Sequence, residues 1–229
     1  MGREQGRAVV DRTRLTAPVF PFLRAASVRS PTALPLFPLK TVLFPGGMLP
    51  LKVFEQRYIE MTTTCLKDDQ PFGVCLLKEG DEVARPGAPV AAPDLAAIGT
   101  LARITACDVP QLGILHLRTE GGTRFQLQSH VVADDGLVVG QVTALAPEPV
   151  LTLPEAYQPL ARLLELLIDR VGRDNFVSEL ALGDASWVGY RLAELLPLPL
   201  PIKQSMLEIN DCEVRLKVIA QFLKEQKVL

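Results

Sequence analysis

Between Leu34 and Tyr58 the chain leaves itself few choices. Leu34-Pro35-Leu36-Phe37-Pro38-Leu39 and Val42-Leu43-Phe44 are short apolar runs, and Pro45-Gly46-Gly47 follows them directly. Proline at the second and glycine at the third place of Phe44-Pro45-Gly46-Gly47 specify a type II turn, whose third residue needs a positive φ. Met48–Val53 then reads as a strand. A helix is expected from about Glu55 to Lys67, with Tyr58, Ile59, Met61 or Thr62, Cys65 and Leu66 at helical spacing. Two strands, a tight turn and a helix entry thus fall within twenty-five residues.

The following stretch reads as β. Phe72–Leu77 has the pattern of a buried strand. Glu79–Pro93, with three prolines, two glycines and acidic residues, reads as a loop. From Ile98 the period becomes two, so Ile98–Val109, Ile114–Thr119 and Arg124–Gln128 are expected as strands. Gly121-Gly122 between the last two is the signal of a two-residue hairpin turn. Leu115 and Leu117 fall on one face with His116 and Arg118 on the other. Phe125 and Leu127 likewise alternate with Arg124, Gln126 and Gln128, which predicts one buried and one wet face. Asp135-Gly136 marks a further turn between Val131-Val132 and Leu137–Val142. Short antiparallel strands joined by tight turns imply a small barrel or a strongly curled sheet.

Ala146-Pro147-Glu148-Pro149 reads as a boundary, because the pattern beyond it is helical. Thr152 and Glu155 have capping-box spacing, with Pro154 tolerated in the first turn. Leu153, Tyr157, Leu160, Leu163, Leu164, Leu167, Ile168 and Val171 form one stripe ending near Gly172. Ser186 is expected to cap a second helix carrying Trp187, Tyr190, Leu195 and Leu196, broken by Pro197, Pro199 and Pro201. A short helix over Ile202–Ile209 follows. Asn210 with Glu213 is expected to cap the last helix, with Val214, Val218, Ile219 and Phe222 inward. The fold class is therefore α+β: a β part over 33–148 followed by a helical bundle over 149–229.

With 48% hydrophobic and 22% charged residues, the chain has the composition of a soluble globular protein. Net charge is −2, unevenly spread. Six arginines against Glu4 and Asp11 give residues 1–32 a charge of +4, which leaves −6 on the rest. That start has no continuous apolar region and no small-residue cleavage site, so it is not a secretory signal. Its composition suits a disordered extension or an early start codon better than an organellar transit peptide. Cys65, Cys75, Cys107 and Cys212 show no C-x-x-C spacing and read as buried free thiols in a reducing, cytoplasmic setting. With His116 and His130 the only histidines, no metal site is expected.

Sites of chemistry are missing as well. No phosphate-binding G-x-x-x-x-G-K-[ST] loop is present, since Gly46-Gly47 leads into Met48-Leu49-Pro50-Leu51-Lys52. Gly183-Asp184-Ala185-Ser186 lacks the spacing and the preceding strand of a nucleophile elbow. The acidic pairs Asp68-Asp69, Asp81-Glu82 and Asp134-Asp135 fall at turns or loop tips, where solvated carboxylates are normal. No catalytic, cofactor-binding or metal-ligating residue is assigned. Glu55 and Arg57, between Phe54 and Tyr58, are read as structural, pinning the helix to the Pro-Gly turn through backbone hydrogen bonds.

Several separate signals in one order resemble the N-terminal, substrate-binding domain of Lon-type ATP-dependent proteases. They are Leu34–Leu39, Leu43-Phe44-Pro45-Gly46, Leu49-Pro50-Leu51, Phe54-Glu55 with Arg57-Tyr58, Ile98-Gly99-Thr100, Gly121 with Arg124-Phe125, Leu195-Leu196-Pro197 and Arg215-Leu216, together spanning about 33–225. The resemblance implies a PUA-like β-barrel with one helix, followed by a helical bundle. It also implies a region that engages substrates and helps assemble a hexamer in full-length Lon. Stand-alone versions of the domain lack the ATPase and peptidase parts, so a protease label on such a chain would describe ancestry and not activity.

The expected function is thus a non-catalytic polypeptide-binding or adaptor module holding exposed apolar segments of other chains. The segment Leu196–Pro201 and the loop Glu79–Pro93 are expected to border its groove. RNA binding, common among PUA-like barrels, is the alternative. Electrostatics opposes it, because phosphate contacts need lysine and arginine and the body stands at −6.

Overall fold

The computed structural model describes residues 31–80, 92–176 and 179–227. The readings for residues 1–30 and for most of the Glu79–Pro93 loop lie outside the described residues. The first strands are β1 (Thr32–Leu39), β2 (Met48–Val53), β3 (Phe72–Glu79) and β4 (Asp94–Leu95). They are followed by β5 (Ile98–Gln111), β6 (Ile114–Val132) and β7 (Val138–Ala144). β1 pairs with β7, β7 with β6, β6 with β5, β5 with β3, and β3 returns to β1, so the ladder closes on itself. All of these pairings are antiparallel except β1 with β3, which run parallel. Parallel strands need a crossover, and β2 with helix α1 (Gln56–Asp68) supplies it.

β1 and β3 read as unbroken apolar runs because both of their faces are covered. Leu34 and Leu36 join one cluster with Cys75, Leu77 and Phe125. Phe37 and Leu39 point the other way, into a second cluster with Phe72, Val74 and three side chains of α1, namely Tyr58, Met61 and Cys65. The Tyr58 ring lies on that of Phe37 at 4.0 Å with an interplanar angle of 7°. Burial pushes the thiols of Cys65 and Cys75 up to about 11 and about 12. All four cysteines are free, and Cys107 is half-buried, contrary to the expectation of full burial for such thiols.

The expected hairpin at Gly121-Gly122 does not form. β6 runs through both glycines as one strand of 19 residues, and the chain turns earlier, at Leu112-Gly113, where Gly113 has φ +81°. Gly121 serves close approach instead. A Cβ there would sit 2.2 Å from the carbonyl oxygen of Phe44. The Gly46 amide donates to Gly121 O at 2.6 Å and the Gly121 amide to Gly47 O at 2.8 Å. The turn itself is as expected, with Gly46 at φ +68° and Gly47 N donating to Phe44 O at 2.9 Å. The second turn also stands: Gly136 has φ +84°, and its amide donates to Ala133 O at 2.8 Å.

Helices α2 (Gln158–Val171), α3 (Ala185–Leu195), α4 (Leu200–Glu208) and α5 (Cys212–Glu225) follow β7. They bury Leu160, Leu164, Ile168, Val188, Leu192 and Leu216 in a third cluster, which also takes Val42, Phe44, Leu76 and Ala96 from the β part. Sheet and helices therefore share one apolar junction.

The starts of α2, α3 and α5 differ from the sequence reading. Thr152 is extended and bridges Asp184, so the capping box is not formed, and a single 3₁₀ turn (Glu155–Tyr157) precedes α2. Asp184, not Ser186, caps α3, accepting from the Ser186 amide at 3.0 Å. Asp211, not Asn210, caps α5, accepting from the Glu213 and Val214 amides at 2.8 and 3.3 Å. In both pairs the residue passed over has its side chain committed elsewhere. Val214 and Val218 are exposed, because α5 turns Cys212, Arg215, Leu216, Ile219 and Leu223 inward.

Candidate functional site

Two arginines and a glutamate lie at the junction of sheet and helices. Glu148 follows β7 and sits at the entrance to the helical segment. Its Oε2 accepts from Ser186 Oγ at 2.8 Å and from Arg215 Nη1 at 3.0 Å. Its Oε1 accepts from the Tyr190 hydroxyl and from Arg215 Nη2, both at 2.5 Å. Arg124, on β6, brings a second guanidinium to 3.4 Å. Burial alone would raise this carboxyl. The hydrogen bonds from Arg215, Tyr190 and Ser186 and the Arg215 charge outweigh it, so Glu148 lies below the usual carboxylate range. It is an ionised acceptor, not an acid or base poised near neutrality.

The arginines have a second duty. Arg124 Nη1 donates to Leu207 O and Ile209 O at 2.6 and 3.2 Å, and Nη2 to Asn210 Oδ1 at 3.0 Å. Arg215 Nε donates to Met206 O at 3.0 Å and Nη2 to Ile209 O at 2.6 Å. These carbonyls close α4, where a helix leaves oxygens without intrahelical partners and favours positive charge. The Arg215 guanidinium also stacks over the Tyr190 ring, 3.8 Å from its centre. One carboxylate and two guanidiniums thus tie β6, α3, α4 and α5 together.

A third buried arginine holds the Pro-Gly turn. Arg191, on α3 and 1% exposed, donates to the carbonyls of Pro45 (2.9 Å) and Gly46. Its Nη2 lies 3.1 Å from Glu194 Oε2, a charge contact whose angle makes no hydrogen bond. The sequence places the hold on this turn with Glu55 and Arg57. In the structure Arg57 donates instead to Gly136 O and to Glu55 Oε2, both at 2.8 Å, so it ties α1 to the β6–β7 turn.

The motif residues singled out in the sequence fall into separate places. Phe44, Pro45, Gly46 and Gly121 meet at the turn. Glu55, Arg57 and Tyr58 meet at the start of α1, with Phe54 half-exposed beside them. Arg124, expected on a wet face, is buried because the helices cover that face, and it joins Glu148. Phe125 packs with Leu34 and Leu36. The sequence gives no site role to Glu148, Tyr190, Arg191 or Arg215, although Arg215 falls within a signal of the family resemblance. A signal existed for the last two: Arg191 shares the phase of Val188 and Leu192, and Arg215 that of Leu216 and Ile219, so the apolar stripe points each arginine inward.

Beside Glu148 opens a cleft of about 300 Å³, lined by Glu148, Pro149, Leu151, Ser186, Asn210, Asp211, Cys212 and Glu213. Val150 (83% exposed) lies between the lining residues Pro149 and Leu151, and Val214 and Val218 are exposed on α5. Ser186 gives its proton to a carboxylate that is already saturated, and no histidine is near it in the chain. His116 and His130 lie on β6, where His130 Nε2 bonds Pro93 O at 2.9 Å. Among the described residues no three potential metal ligands cluster. No described helix is long and apolar enough to cross a membrane.

The family model of the ATP-dependent protease La (LON) substrate-binding domain matches residues 33–225. The chain belongs to that family. Among curated relatives, Lon protease 2 of Myxococcus xanthus is 28% identical over 205 residues and Lon protease of Anaeromyxobacter dehalogenans 26% over 218. Each match covers 86% of this chain and 24% of the relative, so the chain spans about a quarter of the length of these Lon proteases.

A crystal structure of a Lon N-terminal domain protein from Xanthomonas campestris aligns with TM-score 0.66 and 38% identity, over 83% of this chain and 98% of that one. The N-terminal domain of Mycobacterium avium complex Lon protease aligns with TM-score 0.57 and 16% identity, over 84% and 98%, and shows the shared fold alone. The α+β expectation of a β part followed by helices agrees with these Lon-domain structures.

Proposed function

We propose that this chain is a non-catalytic polypeptide-binding module, with the cleft beside Glu148 as its binding site. The family match across residues 33–225 carries the reading, since the family is defined as substrate-binding. The site geometry supports it. The buried charges of Glu148, Arg124 and Arg215 are all consumed by one another and by helix α4. What they leave is an open cleft with Pro149 and Leu151 in its lining and no activated nucleophile. Exposed apolar side chains grouped around a groove are a mark of interaction surfaces.

Residues 33–148 and 149–229 are read as two subdomains sharing this junction, with residues 1–32 as an extension. Four free cysteines favour a reducing, cytoplasmic setting. RNA gains nothing from this cleft, whose lining carries three carboxylates and no lysine or arginine. The test is a titration of the full chain with reduced, carboxymethylated casein and with native globular proteins. Saturable binding of the unfolded chain alone, without ATP turnover or cleavage, is expected. Peptide-bond cleavage by the pure chain would overturn it, as would equal affinity for folded proteins.

A further inference from the structure

We propose that the cleft selects extended polypeptide segments in which apolar side chains alternate with lysine or arginine. The proposal rests on the polypeptide-binding reading and names the class of segment that reading takes.

Three observations carry it. The first is charge. Glu148, Asp211 and Glu213 line the cleft with no cation among the lining residues. Glu148 is neutralised by Arg215 and Arg124, and one oxygen of Asp211 faces the amides that open α5. Glu213 is exposed in the first turn of α5, and residues 33–229 sum to −6. Such a field steers cationic segments and disfavours acidic ones.

The second observation is apolar surface. Val150 and Leu151 are exposed on the chain segment at one side of the cleft. Val214 and Val218, one helical turn apart, are exposed on α5, the helix whose first residues Cys212 and Glu213 line the cleft. The third is backbone. Among the described residues, the amides of Ala146, Glu148 and Val150 and the carbonyls of 146–150 make no backbone–backbone hydrogen bond, Pro147 and Pro149 having no N–H to give, while Leu145 N still donates to Arg124 O and Leu151 O still accepts from Ala185 N. The β1–β7 ladder ends where Thr32 meets Val142, and no described strand pairs with this stretch. Free backbone carbonyls and amides beside apolar side chains are a setting for strand addition, in which backbone bonds give affinity and alternate side chains give selection.

The full chain would be titrated, by fluorescence anisotropy, with a labelled peptide of about 12 residues alternating leucine and arginine, and with the same peptide carrying glutamate for arginine. The arginine peptide should bind about tenfold more tightly, and the preference should shrink as salt rises from about 0.05 to about 0.3 M. Glu213→Lys should abolish the preference, while Val214→Ser with Val218→Ser should weaken both peptides. Glu165→Lys, exposed on α2, should change neither.

Equal binding of the two peptides overturns the charge class, even if the valine variants still weaken both and the polypeptide-binding reading stands. So does tighter binding of the glutamate peptide or of single-stranded RNA. If casein binds but neither peptide does, or if Glu213→Lys has no effect, the cleft is not the selecting site. A dimer that forms with concentration and excludes both peptides would show a second copy as the occupant and would also overturn the proposal.

Discussion

Arg215 and Glu148 meet fork to fork, with Nη1 3.0 Å from Oε2 and Nη2 2.5 Å from Oε1. The pair is fully buried on the arginine side and joins α5 to the segment leaving β7. Paired burial is costly to break, because the surviving partner stays in a medium that does not solvate it.

Glu148→Ala should therefore destabilise the fold by about 3–5 kcal/mol, since it strands Arg215 and deprives Arg124 of its carboxylate. Urea unfolding followed by circular dichroism measures it. Replacing Arg215 by methionine in the same chain should recover part of the loss. A Glu148→Ala protein with an unchanged urea midpoint would show that the network contributes nothing.

Acid sensitivity follows from the same group. Glu148 titrates below its ordinary value of 4.5 in the folded state, so between those values the unfolded chain binds more protons than the folded one. Its contribution is present above about 4.5 and is lost as pH falls through the folded value. Glu194 has the opposite sign: burial raises its carboxyl above 4.5 despite Arg191 and Lys203, so its cost appears as pH rises past 4.5. Urea midpoints from pH 6 to pH 3 should fall less steeply for Glu148→Gln than for the parent, each relative to its own value at pH 6. A parallel fall would remove Glu148 as a source of the acid limb.

The two adjacent glycines should answer unequally. Gly121→Ala places a methyl 2.2 Å from Phe44 O and should cost about 1–3 kcal/mol or more. Gly122→Ala meets nothing nearer than Leu101 O at 3.5 Å, so it should stay within about 0.5 kcal/mol of the parent. Equal losses for the two, read from thermal melts, would restore the hairpin turn that the structure rejects.

Arg191 and Arg57 both hold backbone carbonyls, at different depths. Arg191→Ala takes the donor from the half-buried Pro45 and Gly46 oxygens and the cation from beside Glu194, and should cost about 2–5 kcal/mol. Arg57→Ala removes a half-buried pair with Glu55 and one bond to Gly136 O, for about 1–2 kcal/mol. Melting temperatures in the reverse order would contradict the assignment of the Pro-Gly turn to Arg191.

The parts of the fold that rest on local chemistry were legible in the sequence. The Phe44–Gly47 turn, α1 and the Asp135-Gly136 turn each follow from a positive φ or a helical spacing within a few residues. Gly121 misled because glycine answers two needs. The close pass of Phe44, more than seventy residues away, is invisible to a local pattern. Arg124 obeyed the alternation and lay on the expected face, but alternation does not reveal that a helical layer dries that face. Glu148 looked like linker punctuation for the same reason, since its partners lie on α3, α5 and β6. The shifted caps share this cause: Ser186 and Asn210 are good caps whose side chains are spent on Glu148 and Arg124, so the neighbouring aspartates do the capping.

The most direct test of the central claim is hydrogen exchange on the full chain, with and without a saturating unfolded polypeptide. The account predicts new protection confined to residues 146–151 and 211–218, around the cleft beside Glu148. Protection elsewhere with none in those two stretches would contradict it.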